Sequence, residues 1–166
     1  MPRSRRLRSP APTSVLETDV PAAVQRGLAL IAQRPRTSAD LRDRLGDRFE
    51  PGAADAALVR LTELGYVDDT AWASAYVART RSSERSARML RAELREHGVA
   101  PETAEEALHA HDDDEAAITA ARRLARGRAP DERARRLHGA LARRGFGFEV
   151  IERALSRLAE ERATIA

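Results

Sequence analysis

One spacing constrains this chain more than any other. The pair Leu41 and Leu45 returns as Leu90 and Leu94, and again as Leu137 and Leu141, at intervals of 49 and then 47 positions. Each pair is one helical turn apart and so marks one face of a helix. Each is also followed by the same punctuation. After Leu45, Pro51-Gly52 breaks the chain before a helix with Ala57, Leu58, Leu61 and Leu64 expected to face inward. Leu94 is followed by Gly98, Pro101 and Leu108, and Leu141 by Gly145 and Leu155. A first helix precedes each pair. One opens near Pro21 with Val24, Leu28 and Ile31 as its stripe, and one runs from Asp69 to about Arg81. The last opens at Asp112-Asp113-Asp114-Glu115 and carries Ile118, Ala121 and Leu124. A period near 48 with three helices per unit is a repeat architecture, in which single units lack the apolar surface to stand comfortably alone. The expectation is an all-α protein. Residues 1–19 form a disordered basic arm, and three tandem three-helix repeats over 20–67, 68–111 and 112–163 form an elongated, curved array.

The joints between units carry their own signals. Gly65 suits the left-handed residue that ends a helix, and Asp68 or Asp69 then caps the next one. Thr37 or Ser38 caps the helix of Leu41. His97 precedes Gly98 at a C-terminal cap, and His138 is one residue from the core Leu137. Trp72, Ala73, Tyr76 and Val77 share a helical face, so the only tryptophan and one of two tyrosines mark the middle of the core. A stacking platform for bases is the alternative for these rings. Phe146-Gly147-Phe148 reads as an interhelix turn with a hydrophobic clamp.

Several function classes are excluded or disfavoured. With no cysteine there is no disulfide, thiolate zinc site or cysteine nucleophile. No apolar run approaches a membrane span, and the arginine-bearing N-terminus has no apolar core of a secretory signal, so a cytoplasmic address is expected. The acidic run near His109 and His111 is read as a complement to the helix dipole rather than as a metal site. No nucleophile has a plausible base, and no glycine-rich phosphate loop appears. Neither a cofactor nor catalysis is expected.

The basic residues are more informative. All 29 are arginines, and guanidinium holds its charge and grips phosphate or carboxylate with a planar fork. With Leu90 and Leu94 inward, Arg88 and Arg95 turn outward, flanked by Arg85 and Arg91. Leu137 and Leu141 inward leave Arg135, Arg136 and Arg143 outside. Arg122, Arg123, Arg126 and Arg128 precede that helix and Arg144 follows it. From Arg122 to Arg144, nine arginines stand against Asp131 and Glu132, a local balance of 9 − 2 = +7. The first unit instead alternates Arg42, Asp43, Arg44 and Asp47. Polyanion binding by the second and third units follows, mostly through phosphate and without sequence reading.

These residues resemble the RecX regulatory protein family. The resemblance rests on Leu64-Gly65-Tyr66-Val67-Asp68-Asp69 followed by Trp72-Ala73, and on Arg34-Pro35-Arg36-Thr37-Ser38 with Leu41 and Leu45. Leu90, Leu94 and Gly98-Val99 add to it, as do Leu141-Ala142-Arg143-Arg144-Gly145-Phe146, Ile151 and Ala154-Leu155. It spans roughly residues 20–160. Ser83-Glu84-Arg85-Ser86 departs from the Gly-Pro or lysine-bearing turn of many members, and the basic arm is not part of the shared pattern. The resemblance implies a non-enzymatic modulator of RecA that lodges in the groove of the RecA–DNA filament. There it would inhibit ATPase, strand exchange and coprotease functions, and so modulate repair and the SOS response. The expected partners are the RecA filament and single- and double-stranded DNA, with no membrane, and the protein is expected to be a monomer. The residues expected to contact DNA or the filament are Arg85, Arg88, Arg91, Arg95, Arg122, Arg123, Arg126, Arg135, Arg136, Arg143 and Arg144. A helix-turn-helix transcription factor is the rival reading, with one dominant recognition helix where this chain offers three comparable units.

Overall fold

The computed structural model describes residues 16–79, 84–126 and 133–165. Residues 1–15 of the expected arm, together with Arg81, Arg128, Asp131, Glu132 and the side chain of Arg135, lie outside the described residues. The described residues form nine helices: α1 (Val20–Gln33), α2 (Ser38–Gly46), α3 (Pro51–Glu63), α4 (Asp69–Val77), α5 (Ala87–Glu96), α6 (Pro101–Leu108), α7 (Asp113–Ala125), α8 (Arg133–Ala142) and α9 (Phe148–Ile165). The helices that pack along one another do so within α1–α3, within α4–α6 and within α7–α9. Each triplet has its own core.

Local sequence accounts for the starts of most helices. Asp19, Thr37, Asp68, Ser86 and Asp112 are N-caps whose side chains accept a hydrogen bond from a first-turn amide. Pro21, Pro51 and Pro101 occupy the first turns of α1, α3 and α6, where a missing N–H costs nothing. Gly65, Gly98 and Gly145 take left-handed conformations, with φ of 75°, 73° and 89°. α4 ends at Val77, earlier than its periodicity suggests.

Packing moved several inward-facing residues. On α1 the buried residues are Ala23, Gly27 and Leu30, while Val24, Leu28 and Ile31 pack at the edge of the core. Gly27 explains the rotation. The Leu61 side chain of α3 occupies the space a Cβ there would need, so α1 and α3 approach closely along that line. Leu64 does not face inward: it is the C-cap of α3 and is 49% exposed, and Val67 fills the core beyond the turn. Trp72 and Tyr76 are half-buried at the edge of the second core, with Ala73 fully inside. The clamp at Phe146-Gly147-Phe148 is one-sided, since Phe146 is buried and Phe148 is 68% exposed.

The second core is the smallest. It buries Leu90, Leu94 and Leu108 with Val99, Ala73 and Ala104, at about 2 kcal/mol for each leucine. A core of that size depends on its neighbours. The units meet through helix ends, by one device used twice. At the first junction the Thr37 hydroxyl donates to the His97 carbonyl at 2.8 Å, and Ser38 donates its amide (2.8 Å) and hydroxyl (2.5 Å) to the Asp69 carboxylate. At the second, the Ser86 amide donates to the Arg144 carbonyl at 3.0 Å, and the Ala87 amide donates to Asp113 at 2.7 Å. The left-handed glycines sit against these contacts. A Cβ on Gly98 would collide with the Ala39 Cβ, and one on Gly145 with the Ser86 hydroxyl and, at 3.0 Å, the Met89 Cβ. In each Asp-Asp pair, Asp68 or Asp112 caps its own helix and Asp69 or Asp113 reaches the preceding unit. The first unit has Asp19 followed by Val20 at that place, and its end is closed by a short parallel bridge between Glu17 and Phe49.

Comparing two glycines separates backbone strain from close approach. Gly65→Ala, with open space around its Cβ, is expected to cost about 1 kcal/mol for the left-handed backbone. Gly98→Ala adds the collision with Ala39, for a loss of about 3 kcal/mol in urea denaturation. Equal losses would show that the junction contact contributes nothing.

Candidate nucleic-acid interface

With Leu90 and Leu94 buried, α5 turns Arg88, Arg91 and Arg95 to solvent along one face. The space between this face and α6 is a groove of about 400 Å³, with Ala92, Val99 and Ala104 beneath a guanidinium rim. Arg91 donates to Glu105 of α6 through both Nε and Nη2, the latter at 3.0 Å from Oε2. That hydrogen bonding raises the guanidinium pKa and holds the Glu105 carboxyl below its ordinary value. Among the described residues Arg88 reaches only the Gly145 carbonyl, at 3.4 Å, across the second junction. Arg95 has no charged partner among the described residues.

Arg85 belongs to a different environment. It pairs with Glu93, whose other oxygen accepts the Tyr76 hydroxyl at 2.9 Å. Desolvation, followed by the neighbouring Glu93, raises the Tyr76 pKa. The Tyr76 ring stacks on Trp72 with centroids 5.2 Å apart, and His97 tilts against both. With one ring half-buried against the other and the hydroxyl engaged, this cluster is packing rather than an open platform for bases. The Trp72 Nε1 is buried without an acceptor.

In the third unit the expected contact residues divide sharply. Arg122 binds Glu161 of α9, with Nε at 3.0 Å from the carboxylate. Arg123 pairs with Glu84, which is 3% exposed and belongs to the preceding unit, so this ion pair is part of the second junction. Arg144 donates to the Ala140 carbonyl at 3.0 Å. Arg126 and Arg143 are exposed with no carboxylate partner among the described residues, and Arg136 is exposed on α8, about two turns before Arg143 at the end of that helix. The +7 balance is therefore partly neutralised by glutamates distant in sequence: Glu84 lies 39 positions before Arg123, and Glu161 lies 39 after Arg122. No local spacing rule reveals such pairs. The acidic run is likewise consumed by structure. Asp112 caps α7, Asp113 reaches Ala87, Asp114 holds Arg153 at 3.0 Å and Glu115 holds Arg157. His111 Nε2 lies 2.9 Å from the Arg85 carbonyl. Among the described residues no group of three or more acidic or histidine side chains is placed to hold a metal. No described helix is long and apolar enough to cross a membrane.

Three separate cores joined end to end, with unneutralised guanidinia on the second and third, define an all-α tandem three-helix repeat protein. Comparison with known proteins specifies it further. Family models for the first, second and third three-helix domains of RecX match residues 23–61, 68–108 and 112–155 in that order. A regulatory protein RecX of Xanthomonas campestris pv. campestris is 34% identical over 143 residues, covering 83% of this chain and 88% of the relative. One from Thermus thermophilus is 43% identical over 86 residues, a stretch spanning 52% of this chain and 60% of that protein. The crystal structure of RecX from Lactobacillus salivarius superposes with a TM-score of 0.70 at 20% identity, over 84% of this chain and 96% of the other, and so shares the fold. The chain belongs to the RecX family of regulatory proteins.

Removing Arg123 leaves a buried carboxylate without its counter-charge. Arg123→Ala is expected to cost about 2 kcal/mol in urea denaturation, and adding Glu84→Gln to recover at least half of it. If Arg123→Ala costs no more than Arg126→Ala, the pair does not hold the junction.

Proposed function

We propose that this chain binds the RecA–DNA filament and inhibits RecA's ATPase, strand-exchange and coprotease activities, acting as a cytoplasmic, monomeric, non-enzymatic regulator of repair and the SOS response. Membership of the RecX family supports the regulatory part of this reading. One observation of the chain itself carries the contact. Among the described residues Arg88 and Arg95 of α5 have no carboxylate partner, Arg88 touches the turn beyond α8, and the exposed Arg143 precedes that turn, with the half-buried Arg144 between them. Exposed guanidinia thus run across the junction of two neighbouring repeats. Such a row follows a phosphate backbone and gives affinity without reading sequence. Arg91, Arg122, Arg126, Arg135 and Arg136 extend the proposed contact. Arg85 and Arg123, being tied to Glu93 and Glu84, act in it only by shaping the repeats.

A regulator of this kind works by differential affinity. It shifts a filament only toward the state it binds more tightly. Repeats that span adjacent filament protomers would provide that difference between any two states that place the protomers differently.

The direct test is RecA's single-stranded-DNA-dependent ATPase with the chain added below and at equimolar amounts. Inhibition is expected, and Arg88→Glu combined with Arg95→Glu and Arg143→Glu is expected to raise the half-inhibitory concentration about tenfold or more, three phosphate contacts being lost. Full inhibition by the triple variant moves the contact elsewhere. No inhibition by the wild-type chain, with tight binding to one duplex sequence, rejects the reading in favour of a transcription factor.

A further inference from the structure

We infer that Glu105 is a built-in, displaceable counterion for the α5–α6 groove: it occupies Arg91 in the free protein, and a DNA phosphate takes its place on binding. The inference rests on the DNA-contact reading above and adds how that contact is regulated. Arg91 is the middle of three guanidinia on one helix face, about one turn from Arg88 and one from Arg95. Among the described residues, it is the one of the three held by a carboxylate. Glu105 grips it with both oxygens, through Nε and Nη2, which is the two-pronged geometry a guanidinium offers a phosphate diester. In the free protein the carboxylate therefore stands where a backbone phosphate would lie.

Three features make this carboxylate displaceable where those that hold Arg85, Arg122 and Arg123 are not. Glu105 and Arg91 are both exposed, and an exposed ion pair is a weak one. Among the described residues Arg91 is the sole charged group that Glu105 contacts, so its release disturbs no other bond described. The groove beneath is already open. By contrast, Glu84 is buried under Arg123, Glu93 also holds Tyr76, and Glu161 is shared between Arg122 and Arg157. A DNA backbone brings successive phosphates, so that while one takes Arg91 its neighbours meet Arg88 and Arg95, which no carboxylate among the described residues occupies; the lone carboxylate of Glu105 makes no such further contacts. The free chain accordingly binds DNA less tightly than three open guanidinia would.

Removing the carboxylate gives a gain of function that cannot be confused with misfolding. Fluorescence anisotropy with a duplex oligonucleotide, from about 50 to 300 mM salt, compares wild type with Glu105→Gln and with Glu102→Gln. The second variant makes the same change of net charge on α6 at an exposed residue with no arginine partner among the described residues. Glu105→Gln is expected to bind about three- to tenfold more tightly at low salt, with the slope of log K against log salt steeper by about 0.9, the signature of one further phosphate contact. Glu102→Gln should change affinity less than about twofold. Arg91→Gln added to Glu105→Gln should abolish the gain. If Glu105→Gln matches Glu102→Gln, the counterion role is overturned while the DNA-contact reading stands. If neither wild type nor Glu105→Gln shows salt-dependent binding, both are overturned.

Discussion

The structure depends on how one repeat's helix ends are satisfied by the next. A helix leaves amides bare at its start and carbonyls bare at its end, and a buried end needs partners for them. Here the start of a middle helix, at Thr37-Ser38 or Ser86-Ala87, is pushed against the end of the following unit's middle helix, at His97-Gly98 or Arg144-Gly145. The amides left over are taken by Asp69 and Asp113. Thr37 and Ser86 are each 1% exposed, so these polar groups stand in the interior with their bonds made. The approach is close enough that only a glycine fits at the turn, and its left-handed backbone is what directs the chain away from the contact. With three small cores and no helix of one unit packed along a helix of the next, these junctions carry the relative placement of the repeats.

The same constraint explains why the first unit differs. There the position that Asp69 and Asp113 hold in the later units is taken by Val20, which packs on its own core. Gly46 at the end of α2 has no left-handed backbone, and the chain continues into Phe49 and its bridge with Glu17.

Charge follows a related economy. Arginine serves two ends in this chain: some guanidinia are bound to carboxylates or carbonyls and hold elements together, and others are left open. Arg36 is the extreme of the first kind. It is buried, donates to the Leu30 carbonyl at 3.0 Å and to Asp40 at 2.6 Å, and ties the end of α1 to the start of α2. Burial works to raise the Asp40 carboxyl, but the hydrogen bonds from Arg36 and Arg44 outweigh it and hold the pKa below its ordinary value. The stability it contributes is thus present above the ordinary carboxylate range and lost as pH falls through the lowered value. Arg88, Arg95 and Arg143 are the second kind, and their openness follows from which glutamates the fold brings near, not from the count of arginines.

The sequence by itself determined the repeat, the helices and their punctuation, because these are local: leucines one turn apart, caps within three residues, glycine where φ turns positive. It also marked α5 and α8 as basic, since inward leucines dictate what faces out. Other features were illegible for a single physical reason, that they arise between segments far apart in the chain. The rotation of α1 onto Gly27 required Leu61 of α3. The exposure of Leu64 required Val67 to fill the space beyond the turn. Asp68 and Asp69 were interchangeable as caps until a preceding unit supplied Ser38 for one of them. Which arginines remain open was settled by Glu84, Glu93, Glu105 and Glu161, none within a helical turn of its partner. Periodicity records which face of a helix is turned inward, but only the tertiary structure decides what that face, and the charges on its back, will meet.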